Sequence, residues 1–331
     1  MISIKEKTCV LLQTFYNSCK KNNLQIQKPA SLTSYHDPSI RFTNSTTSVL
    51  KPYIMKNIPF PTEGVFLMQP AMGLQGVNYW KETTTFGRFS SFFYSLGIMC
   101  PMNSLSTCIK AALAFLSSMI CNMSSIDFSY CTVDASILHD ILHTLGEHNI
   151  REINQTALEE FRHTYGIPEV VGIDVIISSK TEYGEIEFGN FSVICKNEIP
   201  QCVEFSVDST LLLSAILKRH AVCCLPVVDA ICKIPILRSQ DCFSMAFLDF
   251  VNLACMMTMD GLKPKSRGRN GNLKEICMLI QNLAERLDIS PEILKQIIEE
   301  TAKSELEIAT TSEYTPALSN AEEISKRILD L

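Results

Sequence analysis

Apolar positions along the chain follow two periods. Over residues 4–20, IKEKTCVLLQTFYNSCK, the spacing of Val10, Leu11, Phe15 and Tyr16 predicts an amphipathic helix. Pro29 ends the polar linker after it. Short apolar runs then predict strands at SIRFT (39–43) and GVFLMQP (64–70), and FGRFSSFFYSL (86–96) is aromatic-rich as strands are. Residues 105–147 read as helical, with SLSTCIKAALAFLSSMICNM the clearest piece. Strands return at VVGIDVIIS (170–178), IEFGNFSVIC (186–195) and QCVEFSV (201–207), and a helix follows at DSTLLLSAILKRH (208–220). From about Cys242 the period is helical almost without break. In SPEILKQIIEETAK, Ser290 offers a hydroxyl to the open N–H groups of a helix start, and Pro291 stands where no N–H is needed. Strands before residue 210 and helices after it predict an α+β unit over 1–225 followed by an all-helical unit over 226–331.

One stretch follows neither period. DPSIRFTNSTTSVLKPYI, residues 37–54, holds an unbroken polar run from Thr43 to Ser48 and closes on Lys51 and Pro52. A surface loop would carry more glycine or charge, and a half-buried strand would alternate. The run reads either as the polar wall of a cleft or as a solvated turn whose hydroxyls bond their own backbone.

Composition narrows the class. Hydrophobic residues make up 46% and charged ones 19% of 331 residues, which is globular rather than disordered. A net charge of −6 argues against general nucleic-acid affinity but leaves room for a local basic patch. The start MISIKEKTC carries lysines with no apolar core behind them, so no secretory signal is expected. The 14 cysteines are scattered through apolar contexts without a CxxC pair, and read as reduced, buried small side chains in a cytoplasmic protein. The uncharged stretch 89–109 is broken by Pro101 and Asn103, and 111–125 is too short for a span of about 20 residues. No membrane is expected as a partner.

With TFYNSCKKNN on the helix before it, the polar stretch resembles the start of the alanyl-tRNA synthetases. There Asp-Pro, Phe-Thr-Asn and Lys-Pro stand at the spacing of Asp37, Pro38, Phe42, Thr43, Asn44, Lys51 and Pro52. Further blocks follow in the family's order: FFYSLG (92–97), EFGNFSV (187–193), FSVDST (205–210) and DGLKPKSRGRNGNLKEI (260–276), together covering about residues 5–285. The resemblance implies a class II synthetase fold, an antiparallel sheet flanked by helices with the active site on its open face. The chain is expected to be a truncated, diverged homologue with the catalytic and acceptor-binding parts, without editing or C-terminal oligomerisation domains.

The same resemblance assigns roles. Asp208 would meet a substrate ammonium and Asn190 would orient the substrate, with Asn44 and its neighbouring hydroxyls lining the cleft. Asp208 fits equally well as the N-cap of the helix that follows. Gly189 stands where the family has tryptophan, which implies a wider pocket. Arg88, Phe92, Phe93 and Lys51 are the candidates for a nucleotide pocket.

Adenylation needs fixed cations aimed at the ATP phosphates. In VFLMQPAMGLQGVNYW, however, Gly73 and Val77 replace the family's arginine and lysine, and Ala215 replaces the arginine of the third motif. Loss of one such donor costs about 3 kcal/mol. Ordinary adenylation is expected to be crippled unless Arg41, Lys51, Lys81 or Arg88 substitute. ATP and Mg are therefore implied by the family and opposed by the sequence.

His139 and His143 stand at metal-compatible helical spacing but read better as polar positions of an amphipathic helix, and no metal site is predicted. Neither G-x-S-x-G nor a P-loop occurs. Lys263, Lys265, Arg267, Arg269 and Lys274 form the dense basic cluster of an acidic chain, in the region the family turns to the tRNA acceptor stem. Two classes stay open: an enzyme with altered aminoacyl chemistry, and a non-catalytic module that binds an amino acid, an aminoacyl-tRNA or a partner synthetase.

Overall fold

The computed structural model describes residues 2–33, 37, 40–73, 89–146, 148–182, 184–231 and 242–330, the side chains of 155–157 excepted. Helix α1 (Ile4–Lys21) starts on a reciprocal cap in which Ser3 accepts from Glu6 N and Glu6 accepts from Ser3 N. It buries Leu11, Leu12, Phe15 and Cys19, whereas Val10 faces solvent at 58% exposure. The buried stripe therefore runs Ile4, Thr8, Leu11, Phe15, Cys19, which keeps Leu11 and Phe15 of the expected face and leaves out Val10.

The strands are β1 (Gln25–Ile26), β2 (Val65–Met72), β3 (Phe92–Pro101), β4 (Ile126–Cys131), β5 (Asn149–Ile153), β6 (Arg162–Thr164), β7 (Val170–Thr181), β8 (Gly184–Lys196) and β9 (Ile199–Asp208). Among the described residues they form one sheet in the order β1-β2-β3-β9-β8-β7-β4-β5, with β6 on β7. Pairing is antiparallel except for β1 with β2 and β4 with β5. The edge of β7 is shared: its start pairs with β6 and its later part with β4.

Helices α3 (Leu105–Met119), α4 (Ala135–Leu145) and α5 (Ser209–Leu217) flank this sheet. The helical portion comprises α6 (Val227–Ile231), α7 (Cys242–Met259), α8 (Gly268–Arg286), α9 (Pro291–Thr311) and α10 (Ala321–Leu329). This is the expected α+β arrangement, an antiparallel sheet flanked by helices and then a helical part. Ser290 caps α9 through Ile293 N, with Pro291 in its first turn.

Three readings change. SIRFT is not a strand over its described residues 40–43: Thr43 N donates to Leu32 O (2.8 Å) and Met72 N to Thr43 O (3.0 Å), which ties one residue into a crossing. The span 105–147 is not continuous helix, because β4 lies between α3 and α4 and buries Ile126, Phe128 and Tyr130. The polar run is loop only as far as Ser45. From Thr46 it becomes helix α2 (Thr46–Ile54), with Thr46, Thr47 and Ser48 buried.

The helical portion does not stand apart from the sheet. One apolar core runs from Leu11 through the sheet to Ile328. Polar ties cross it: Tyr94 Oη donates to Glu305 (3.2 Å), Ser91 N to Asp249 (2.8 Å), and Leu32 N and Thr33 N to Asp260 (3.0 and 3.1 Å). The expected boundary after residue 225 falls within this shared core. Helix α7 is long and apolar enough to cross a membrane by length and composition, yet 89% of it is buried inside the protein.

The other sheet face stays partly open. Helix α2 covers one end of it over a small second core that includes Leu50, Tyr53, Val65, Leu67, Met99 and Ile194. It comes close because β3 has Gly97 beneath it. A Cβ there would lie 2.3 Å from Thr46 Oγ1 and 2.5 Å from Thr46 Cβ.

Candidate functional site

Beside α2 this face opens into a cavity of about 630 Å³. Alternation along the strands decides its floor. On β9, Val203, Phe205 and Val207 point into the main core, so Glu204 and Ser206 point to the open face. Cross-strand register then aligns a polar row, Glu204 opposite Ser192 on β8 and Ser192 opposite Asp174 on β7. The next row is Ser206, Asn190 and Ile176. One wall is the start of α2 with Asn44, Ser45, Thr47, Ser48 and Lys51; the other is the segment Glu160 to Gly166, which carries β6.

Glu204, Ser192, Asp174 and Asn190 are each held on the floor. Thr47 Oγ1 donates to Glu204 Oε1 at 2.5 Å, and Thr46 Oγ1 lies 3.5 Å from the same oxygen. Asp174 accepts from Ser192 and, at 3.2 Å, from Asn190 Nδ2, while its other oxygen meets His163 Nδ1 at 2.8 Å. Asn190 Nδ2 also donates to Ser192 (2.8 Å). Gly172, opposite His163 in the β6–β7 register, makes room for this corner: a Cβ there would lie 2.6 Å from His163 Cε1 and from the Tyr165 hydroxyl. At the other end Lys51 is ion-paired with the buried Asp37.

Burial sets the protonation. Glu204, 1% exposed, is pushed up to about 7 by desolvation, against the Thr47 hydrogen bond and the nearby His163. Burial also pulls the His163 imidazole down, but Asp174 and then Glu204 outweigh it and hold it above its ordinary value. At the rim, partial burial and then repulsion from Glu185 and Glu160 raise Glu187. The Tyr165 hydroxyl is pushed well up, chiefly by burial.

The sequence candidates are placed as follows. Asn190 and Asn44 line the cavity, as do Lys51 and Gly189. Asp208 does not: its Oδ1 accepts from Thr210 N (2.8 Å) and Leu211 N (2.9 Å) and caps α5. Burial pushes it up to about 7 against those two bonds. Phe92 is packed in the main core against Tyr94, and Phe93 is half-buried on the next position of β3; neither lines the cavity. Arg88, Val77 and Lys81 lie outside the described residues.

Gly73 has open space where a Cβ would stand, and Ala215 is buried in the main core. Arg41 is not at the cavity: its guanidinium donates to Gly268 O (2.8 Å), and Arg269 Nε returns a bond to Arg41 O. Lys263, Lys265 and Arg267 are exposed, and Arg269 and Lys274 are half-buried, around the start of α8. His139 and His143 are exposed and stacked at 6.1 Å on α4. No group of three or more metal-ligating side chains occurs among the described residues.

Sequence reasoning missed Glu204, Asp174, His163 and Tyr165. A signal existed for the two carboxylates. QCVEFSV and GIDVIIS each carry one acidic residue inside an apolar strand, and such a residue is buried with partners or faces a site.

Among solved structures, the chain is similar to an aminoacyl-tRNA synthetase. The structure is asparaginyl-tRNA synthetase from Pyrococcus horikoshii complexed with asparaginyl-adenylate, with 10% identity over 67% of each chain and a TM-score of 0.40. A likeness at this level transfers no residue role. No protein-family model matches the chain, and no curated protein matches it.

Proposed function

We propose that the chain is a diverged homologue of the alanyl-tRNA synthetase catalytic region that uses the sheet-face cavity to hold a small amino-bearing compound, without adenylating alanine at a rate typical of that family. The observation that carries this reading is the cavity itself, with Asn44 and Asn190 beside a row of buried carboxylate and hydroxyl groups. An ammonium group needs acceptors held in place, and a floor of this kind supplies them without rearrangement.

The lining does not suit a triphosphate. Its cations are Lys51 and His163, each already on a carboxylate, against Asp37, Glu160, Asp174, Glu187 and Glu204. The buried Ala215 favours binding over activation, because that position of α5 is part of the hydrophobic core. The exposed Lys263, Lys265 and Arg267 support a tRNA acceptor stem as a further partner, met through phosphates.

Two measurements test the reading. Pyrophosphate exchange with ATP and alanine should stay at background, and calorimetry should detect at least one amino compound. Robust alanine-dependent exchange would overturn the loss of adenylation, and a cavity indifferent to every amino compound would overturn the ligand class.

A further inference from the structure

Two features of the cavity exceed what a zwitterionic amino acid requires. The first is charge: five carboxylates line it, and both cations in the lining are already paired with Asp37 and Asp174. A ligand carboxylate would enter a field of its own sign. The second is a set of acceptors left over after the protein's own bonds are counted. Glu204 takes its bonds on Oε1, so that Oε2 accepts none from the described residues. Asn190 spends its N–H groups on Asp174 and Ser192, which leaves its amide oxygen. Tyr165 lines the cavity at 7% exposure, and its buried hydroxyl, near Ser192, Glu204 and Asp174, makes no hydrogen bond of normal geometry. A buried hydroxyl in that condition is costly unless a ligand completes it.

Resting on the reading above, we infer that the cavity takes an organic ammonium ion whose carboxylate is absent or masked, such as an amine or an amino-acid amide or ester, with Glu204 and Tyr165 at the ammonium group. An alkylammonium carries three N–H donors and no acceptor. Glu204 and Asn190 are diagonal neighbours on adjacent strands, about 7–8 Å apart, so one nitrogen between them reaches both side chains. The ammonium gives a charge partner to a carboxylate that burial otherwise drives towards its neutral form, and binding ionises Glu204. A masked carboxylate also removes the repulsion from Glu160 and Glu187 at the rim, while the volume leaves room for a substituent larger than a methyl group.

Calorimetry on the full chain at low salt, with alaninamide, putrescine and alanine, decides this. Alaninamide and putrescine should bind at least about tenfold more tightly than alanine, the range of a charge-assisted bond made without an opposing charge. Glu204→Gln, which keeps the Thr47 bond and the volume, should erase that preference. Tyr165→Phe should weaken the amines several-fold, and it keeps the test open if the Gln variant does not fold. Alanine binding as tightly as alaninamide would overturn the inference and leave the amino-compound reading standing. Amine preference surviving in Glu204→Gln would remove Glu204 as the anchor. No binding by any of the three would overturn both.

Discussion

Replacing Glu204 by glutamine should flatten the dependence of stability on pH. Glu204 is 1% exposed and is pushed up to about 7 from an ordinary 4.5, chiefly by burial. A raised folded value means that the native state holds this proton more tightly than the unfolded chain does. The resulting stability is fully present below about pH 4.5 and is lost as pH rises through about 7. The interval corresponds to about 3 kcal/mol, an upper figure for one buried carboxyl.

The groups facing Glu204 are the Thr46 and Thr47 hydroxyls, His163, Asp174, Tyr165 and Cys202. Of these, His163 is held above its ordinary value partly by Glu204, so its contribution also fades with rising pH and shrinks in the variant. The coupling is one energy shared by the two groups and is counted once. Asp208 and Glu305, each pushed up to about 7 by burial, slope the same way in both proteins and cancel in the difference.

Urea unfolding of both proteins from about pH 5 to about pH 8 gives the numbers directly. The wild type should lose up to about 3 kcal/mol more than Glu204→Gln over that range. Parallel curves would refute the reasoning and would mean that Glu204 is already ionised at pH 5, with a cation beside it.

Two further outcomes are expected. Gly172→Ala places a methyl 2.6 Å from His163 and from the Tyr165 hydroxyl, so it should cost about 1–3 kcal/mol in thermal or urea unfolding. It should also weaken amine binding; unchanged stability and binding would show that the β6 segment moves aside freely. Ala215→Arg, which places a cation at the position the resemblance matches to the third motif's arginine, should destabilise the fold by several kcal/mol rather than produce pyrophosphate exchange, because that position is buried in the core. A well-folded variant that exchanges pyrophosphate would show that the site can hold phosphates.

The long elements were legible because their periods were clean. Residues 170–178, 186–195 and 201–207 are β-branched and aromatic runs bounded by turn residues, and the structure extends each of them by a few positions. What failed was short or mixed. IDFSYC is a six-residue strand between two helices, and its polar Asp127 and Ser129 let it pass as a continuation of them. Phe42 and Thr43 look strand-like because they are buried, yet they cross the layers.

At the site, Asn44 and Asn190 were reachable through a resemblance. The row of Glu204, Ser192 and Asp174 depends on strand register, and register is set by pairing between residues far apart in the chain. Asp208 illustrates the limit from the other side. A strand-to-helix carboxylate satisfies a cap and a ligand contact with the same sequence signal; the structure shows the cap and leaves Asp208 out of the cavity lining.

The close seat of α2 on Gly97 has a consequence for how this protein can change. The gap between that helix and the sheet is set by a missing atom, since any side chain on Gly97 would displace Thr46. The height of α2 above the sheet is therefore a property of the backbone at Gly97, not of the residues that face the cavity. Swapping Asn44, Ser45 or Ser48 alters which groups a guest meets while leaving that height alone. The seat of the helix and the chemistry it presents are thereby controlled by different positions.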